Sequence, residues 1–170
     1  MGILSGNPKD EPMHYGEISS VWGSSTMAKG AVSCYQVYLN HAGDRDLKEL
    51  ISDYIGQATK EIEEFDRLLN DNGISPAPTM AEKPRVKLED IPEGARFMDQ
   101  EIAAAISVDI SGGLVACSAA MAMCIREDIA ALYAKYHTEK VILAGRILRL
   151  LKEKGWLIPP PLQIKRPVNV

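Results

Sequence analysis

Shifted by 82 residues, the chain matches itself without a gap. Asp46, Leu50, Tyr54, Arg67, Leu68, Leu69, Gly73 and Pro78 fall on Asp128, Leu132, Tyr136, Arg149, Leu150, Leu151, Gly155 and Pro160. Any two amphipathic helices share a leucine period. A shared Tyr, Arg, Gly and exit proline go beyond that. The chain is therefore two copies of one supersecondary unit, and the units must bury their apolar faces against each other about a pseudo-two-fold axis.

Each unit reads as a helical hairpin. Ile18, Val21, Ser25, Ala28, Val32, Tyr35 and Leu39 recur at three and four residues, predicting a first helix over 14–40. The turn His41-Ala42-Gly43-Asp44 is short, and Asp44 is placed to cap the next helix. That helix carries Leu47, Ile51, Tyr54, Ala58, Phe65 and Leu68 and closes at Asn72-Gly73. Residues 74–98 hold four prolines and no sustained period. A helix of about 28 residues is roughly 42 Å long, and this segment, if extended, reaches beyond that. It can therefore start the third helix, 99–124, at the far end of the bundle. The fourth follows a turn at Arg126-Glu127-Asp128 and ends at Lys154-Gly155. The expected fold is all-α: a four-helix bundle of ferritin-like topology, with two repeated hairpins and one long crossover. It is expected to be one domain over 1–170, with a loose arm at 1–13 and a proline-rich tail at 156–170.

The third helix is unusual. From Ile102 to Ile125 its only charged residue is Asp109. A helix apolar all round is buried among other helices or lies in a membrane, and about 24 residues just span a bilayer. Its small residues, its Gly112-Gly113 pair and the amphipathic helices elsewhere favour burial at the centre of a bundle, or cover by a second subunit. Membrane insertion is the remaining alternative.

Strong catalytic motifs are absent. A ferritin-like di-metal site needs a Glu from each of two helices and Glu-x-x-His from the other two. The first helix has no acid over 18–40, the second no His, and Glu139 is followed three residues on by Ile142. No metal, cofactor or catalytic residue is therefore expected. A weaker polar group remains. Glu61 and Lys140 fall on the inner seams of the second and fourth helices, His137 beside Lys140, and Asp109 in the third. Buried charges need partners, so these four form either a structural ion-pair network or a small-ligand or metal pocket. His14 and His41 bracket the first helix as surface or cap residues. Tyr54 and Tyr136, 82 residues apart, are expected in symmetric core positions.

A net charge of −4 argues against a nucleic-acid or anionic-membrane surface. Cys34, Cys117 and Cys124 sit in helical patterns without metal-ligand spacing and read as buried free thiols in a reducing compartment, with a covalent cross-link between subunits as the alternative. The N-terminal residues carry no apolar run after a basic patch, so the expectation is a protein made in the cytoplasm without a signal peptide.

The segments HYGEISSVW, HAGDRDLKELI and LLNDNGISPAP, with the echo LLKEKGWLIPPP, resemble the ferritin-like, spore-coat-related proteins of spore-forming bacilli, akin to the coat F proteins. The resemblance runs from His14 to Pro161. It implies a four-helix bundle and a structural, non-enzymatic role in the spore coat, laid down at sporulation. The expected partners are further copies of the chain and other coat proteins, with no nucleic acid and no membrane. The resemblance carries no active site. The competing expectation is a ferritin-like protein that binds a metal or small ligand at a non-standard site in the bundle core.

Overall fold

The structure, a computed structural model, describes residues 11–163. Four long helices dominate: α1 Tyr15–His41, α2 Arg45–Asp71, α3 Asp99–Met123 and α4 Glu127–Glu153. No strand occurs among the described residues. The pairs α1–α2 and α3–α4 form tight hairpins, and these meet through α1 against α3 and α2 against α4. The fold is the expected all-α bundle with ferritin-like topology.

The crossover is tied along α1. Lys29 donates to the Ala77 carbonyl at 2.6 Å, Gln36 accepts from Lys83 N at 2.8 Å, and Asn40 donates to the Pro84 carbonyl at 3.0 Å. His41 Nδ1 then accepts from Phe97 N at 3.1 Å. The connection thus travels with α1 toward the α1–α2 turn and starts α3 there.

The repeat is visible in the hydrogen bonds. Asp99, at the start of α3, accepts from Gly43 N at 2.7 Å and Asp44 N at 2.9 Å. Glu17, at the start of α1, accepts from Ile125 N and Arg126 N, both at 2.8 Å. Both the acids and the turns they hold are 82 residues apart. Each hairpin turn is thus pinned by the other hairpin's first helix. The exits match as well. Gly73 (φ 72°) and Gly155 (φ 70°) lie in the left-handed region. Beyond them, Ile74 N donates to the Leu69 carbonyl at 2.9 Å and Trp156 N to the Leu151 carbonyl at 2.8 Å. A side chain at positive φ costs about 1 kcal/mol. Gly73→Ala and Gly155→Ala are each expected to lower Tm by about 3 °C in a calorimetric scan, by similar amounts.

The core has two parts. One joins Tyr35, Leu47, Ile51 and Tyr54 to Ile106, Ile110, Leu143 and Ile147. The other joins Val21, Phe65 and Leu69 to Cys117, Ile129, Tyr133 and Tyr136. Tyr54 and Tyr136 thus occupy matching core positions. A polar layer containing Glu61 and Lys140 lies between the two parts.

Three expectations need correction. On α1 the buried face includes Glu17 and Lys29, while Ile18, Ala28 and Val32 are only half-buried. Glu17 is held by two backbone amides, and Lys29 by Asp66 at 2.7 Å, so both charges are matched. The arm is not loose at 11–13. The Glu11 carbonyl accepts from Arg126 at 3.1 Å, and Met13 packs on the second core cluster; residues 1–10 lie outside the described residues. In the tail, Trp156 and Leu157 pack on the first cluster, whereas Ile158 and Leu162 are exposed; 164–170 lie outside the described residues.

The third correction concerns α3, which is not the central buried helix. Only 28% of its most apolar stretch is buried. In a four-helix bundle each helix offers the core a single stripe, so an all-round apolar helix must expose the rest. His14 caps α1, its ring accepting from Gly16 N at 2.9 Å.

Candidate functional site

A cavity of about 310 Å³ opens between α1 and α3 and reaches the polar layer. Glu61 from α2 and Lys140 from α4 form its floor. Lys140 Nζ donates to Glu61 Oε2 at 2.5 Å, and the two residues are 7% and 6% exposed. The lysine stem reaches this point over Gly113, where a Cβ would stand 2.8 Å from Lys140 Cε. The glycine leaves room for the lysine's methylene stem.

Asp109 lies at the mouth. Its Oδ2 accepts from Tyr35 at 2.5 Å and from Tyr54 at 3.1 Å. The two tyrosine rings meet edge to face, with centroids 4.4 Å apart. Burial raises both phenols well above their ordinary value, and the Asp109 carboxylate beside them raises them further. They therefore remain protonated donors. This supplies the partner that Asp109 required.

Asp109, Glu61 and Lys140 thus share one cavity, but His137 does not line it. A separation of three residues rotates its ring about 60° around α4 from Lys140, and His137 ends half-buried. Tyr35, absent from the sequence reading as a polar partner, completes the arrangement.

The repeat locates the cavity. Met27, Ala31 and Ala58 line it together with Asp109, Gly113 and Lys140, the residues 82 positions further on. The cavity therefore sits on the pseudo-two-fold axis. Asp109 and Lys140 of the second copy have Met27 and Ala58 in the equivalent places of the first. Glu61 likewise corresponds to Leu143. The sequence signal for this site is three repeat-equivalent pairs, each with one charged and one apolar member.

Two carboxylates and one ammonium leave a formal excess of one negative charge. Among the described residues no three His, Cys, Asp or Glu side chains converge to hold a metal ion. Burial raises the Cys117 thiol, which also lines the cavity, so it is a poor nucleophile at neutral pH, whereas Cys34, expected to be buried, is exposed on α1. The arrangement can hold a small molecule with one polar and one apolar end.

Burial also pushes the Glu61 carboxyl above its ordinary value of 4.5, and the opposing pull of Lys140 does not restore it. The folded state therefore holds this proton more tightly than the unfolded chain. Stability from this group is present in acid and lost as pH rises through the raised value. Between pH 7 and 5 the wild type is expected to lose less Tm than a Glu61→Leu/Lys140→Met double variant. An equal loss in both proteins would contradict the assignment.

Comparison with known proteins gives concordant relatives. A family model described as a protein of unknown function, DUF3231, matches residues 1–168. The uncharacterised protein YvdQ of Bacillus subtilis (strain 168) is 46% identical over 166 residues, 98% of either chain. A crystal structure of a "putative spore coat protein" from Bacillus halodurans C-125 covers 94% of this chain and all of its own, with 45% identity and a TM-score of 0.92. A two-domain protein from Anabaena variabilis, with DJ-1/ThiJ/PfpI-like and ferritin-like domains, matches 96% of this chain and 41% of its own. Its TM-score of 0.61 at 16% identity is a likeness of fold alone.

Proposed function

The chain belongs to the DUF3231 family, and we propose that within it this protein is a structural component of the spore coat, assembling with copies of itself and with other coat proteins at sporulation. The observation that carries the reading is the outward side of α3. It is long, apolar and nearly free of charge, while the bundle interior is already filled by two apolar clusters. Such a face has a use in an assembly and a liability outside one. The Bacillus halodurans relative supports the coat as the place.

A fluorescent fusion expressed from its own promoter in a sporulating host tests this. Fluorescence should gather as a shell around the forespore. Even fluorescence through the mother cell, with none at the spore surface, would overturn the reading.

The cavity favours a second reading, a small-ligand binder. Its carboxylates and its apolar wall suit a short-chain amine, with the ammonium on Asp109 and the hydrocarbon against Met27. Hexylamine titrated into the protein should then raise Tm, and Asp109→Asn should abolish the rise. No rise at millimolar amine would remove this reading.

A further inference from the structure

The outward face of α3 has a regular pattern. Ile106, Ile110, Cys117 and Ala120 point into the core. Asp109, the one charge between Glu101 and Arg126, is exposed but lies on the flank of α3 beside the bundle, where it bonds Tyr35 and Tyr54. The exposed remainder includes Ala104, Val108, Ser111, Val115, Ser118 and Ala122, spaced alternately by four and three residues. That is the seam of a helix that packs along another helix. Val108 is 73% exposed, Val115 70% and Met123 50%. Met27 of α1, 67% exposed and lining the cavity with Val108, extends the apolar surface sideways. Outward helix faces in a soluble bundle normally carry charge, as α2 does with exposed Asp53, Lys60 and Arg67.

We propose that a second copy of this chain covers this face, its α3 lying antiparallel to the first along the seam. The seam is its own complement. With the two-fold axis at the level of Gly113, Val115 meets the partner's Ser111, Val108 meets the partner's Ser118, and Ala104 meets the partner's Ala122. The valines each meet a serine, and the small residues let the helix axes approach to about 8 Å. Antiparallel helices also set their dipoles in opposition.

The area suffices. A helix of 25 residues is about 37 Å long, and its outward face, with the flanks of its neighbours, offers close to the roughly 800 Å² per partner of a standard interface. Lipid is the poorer occupant. Membrane-surface helices present bulky apolar side chains rimmed by Lys and Arg. Here the face is Ala, Ser and Val, and its ends carry Asp99, Glu101, Glu127 and Asp128. The pairing also has a consequence for the cavity. Val108 and Gly112 belong both to its lining and to the exposed side of α3, so the second copy roofs the opening beside Asp109. The inference deepens the self-assembly of the proposed function and rests on the same face, but its test in solution is separate from the test of coat location.

Light scattering on the full chain at about 100 µM is expected to give twice the 18.6 kDa chain mass. Val115→Glu, at an exposed position, should leave the helical circular dichroism unchanged and weaken association at least about 100-fold, since it puts a charge into an apolar seam. The register has its own test in a Cys34→Ala background. Mixed Ser111→Cys and Val115→Cys chains should form a disulfide dimer on mild oxidation, several-fold more than either alone. A monomeric wild type would overturn the proposal, as would a dimer indifferent to Val115→Glu or equal cross-linking in the mixed and single samples. Binding of the monomer to neutral or anionic vesicles would assign the face to lipid instead.

Discussion

Lys140→Met alone is expected to cost about 3–5 kcal/mol in chemical denaturation, because it leaves the Glu61 carboxylate buried without its ammonium. Adding Glu61→Leu should recover most of that loss, and the double variant should come within about 1 kcal/mol of wild type or exceed it. The reason lies in the repeat. At the equivalent positions the chain already uses Leu143 and Ala58, so an apolar version of this layer exists in the same molecule. Replacing a buried ion pair by packed apolar side chains is often neutral or stabilising. If the double variant stays as unstable as the single one, the pair does more than neutralise itself, and the cavity's role in binding gains weight.

Glu17→Ala is the second large effect, expected at about 2–4 kcal/mol. The carboxylate is fully buried and accepts from Ile125 N and Arg126 N at the turn into α4, and from His14 N in the capping of α1. Removing it orphans buried amides and discards a negative charge at the positive end of α4. Asp99→Ala breaks the repeat-equivalent contact with Gly43 and Asp44, but Asp99 is only half-buried, and water can replace it. Its expected cost is about 1–2 kcal/mol. The two variants, compared by urea midpoint, measure how far one contact depends on burial. Equal losses would contradict the account.

These contacts also show why the sequence was legible where it was. The hairpins, the crossover and the pseudo-two-fold could be read because they rest on local signals: helical period, Asn-Gly and Lys-Gly exits, prolines and an 82-residue shift. Burial on α1 was misassigned because charge ordinarily marks a solvated face. Glu17 and Lys29 break that rule by meeting partners far away in sequence, at Ile125–Arg126 and at Asp66. The exposure of α3 could not be read from its composition. An all-apolar helix says that every side needs an apolar neighbour, not which neighbours belong to the same chain. At the candidate site, Glu61 and Lys140 were legible as charges on inner stripes, and Asp109 as the lone charge of an apolar helix. Tyr35 was not, since a tyrosine on a seam looks like packing until its hydroxyl is placed 2.5 Å from a carboxylate. His137 was grouped with Lys140 by closeness in sequence, and the turn of α4 separates them.

The central claim is that this chain is a building block of the spore coat. Its most direct test is to fractionate mature spores into coat extract and decoated core and probe both for the protein, with Val115→Glu alongside wild type. The account predicts wild-type protein concentrated in the coat extract and the variant, expressed equally, largely lost from it. Wild-type protein confined to the decoated core would contradict it.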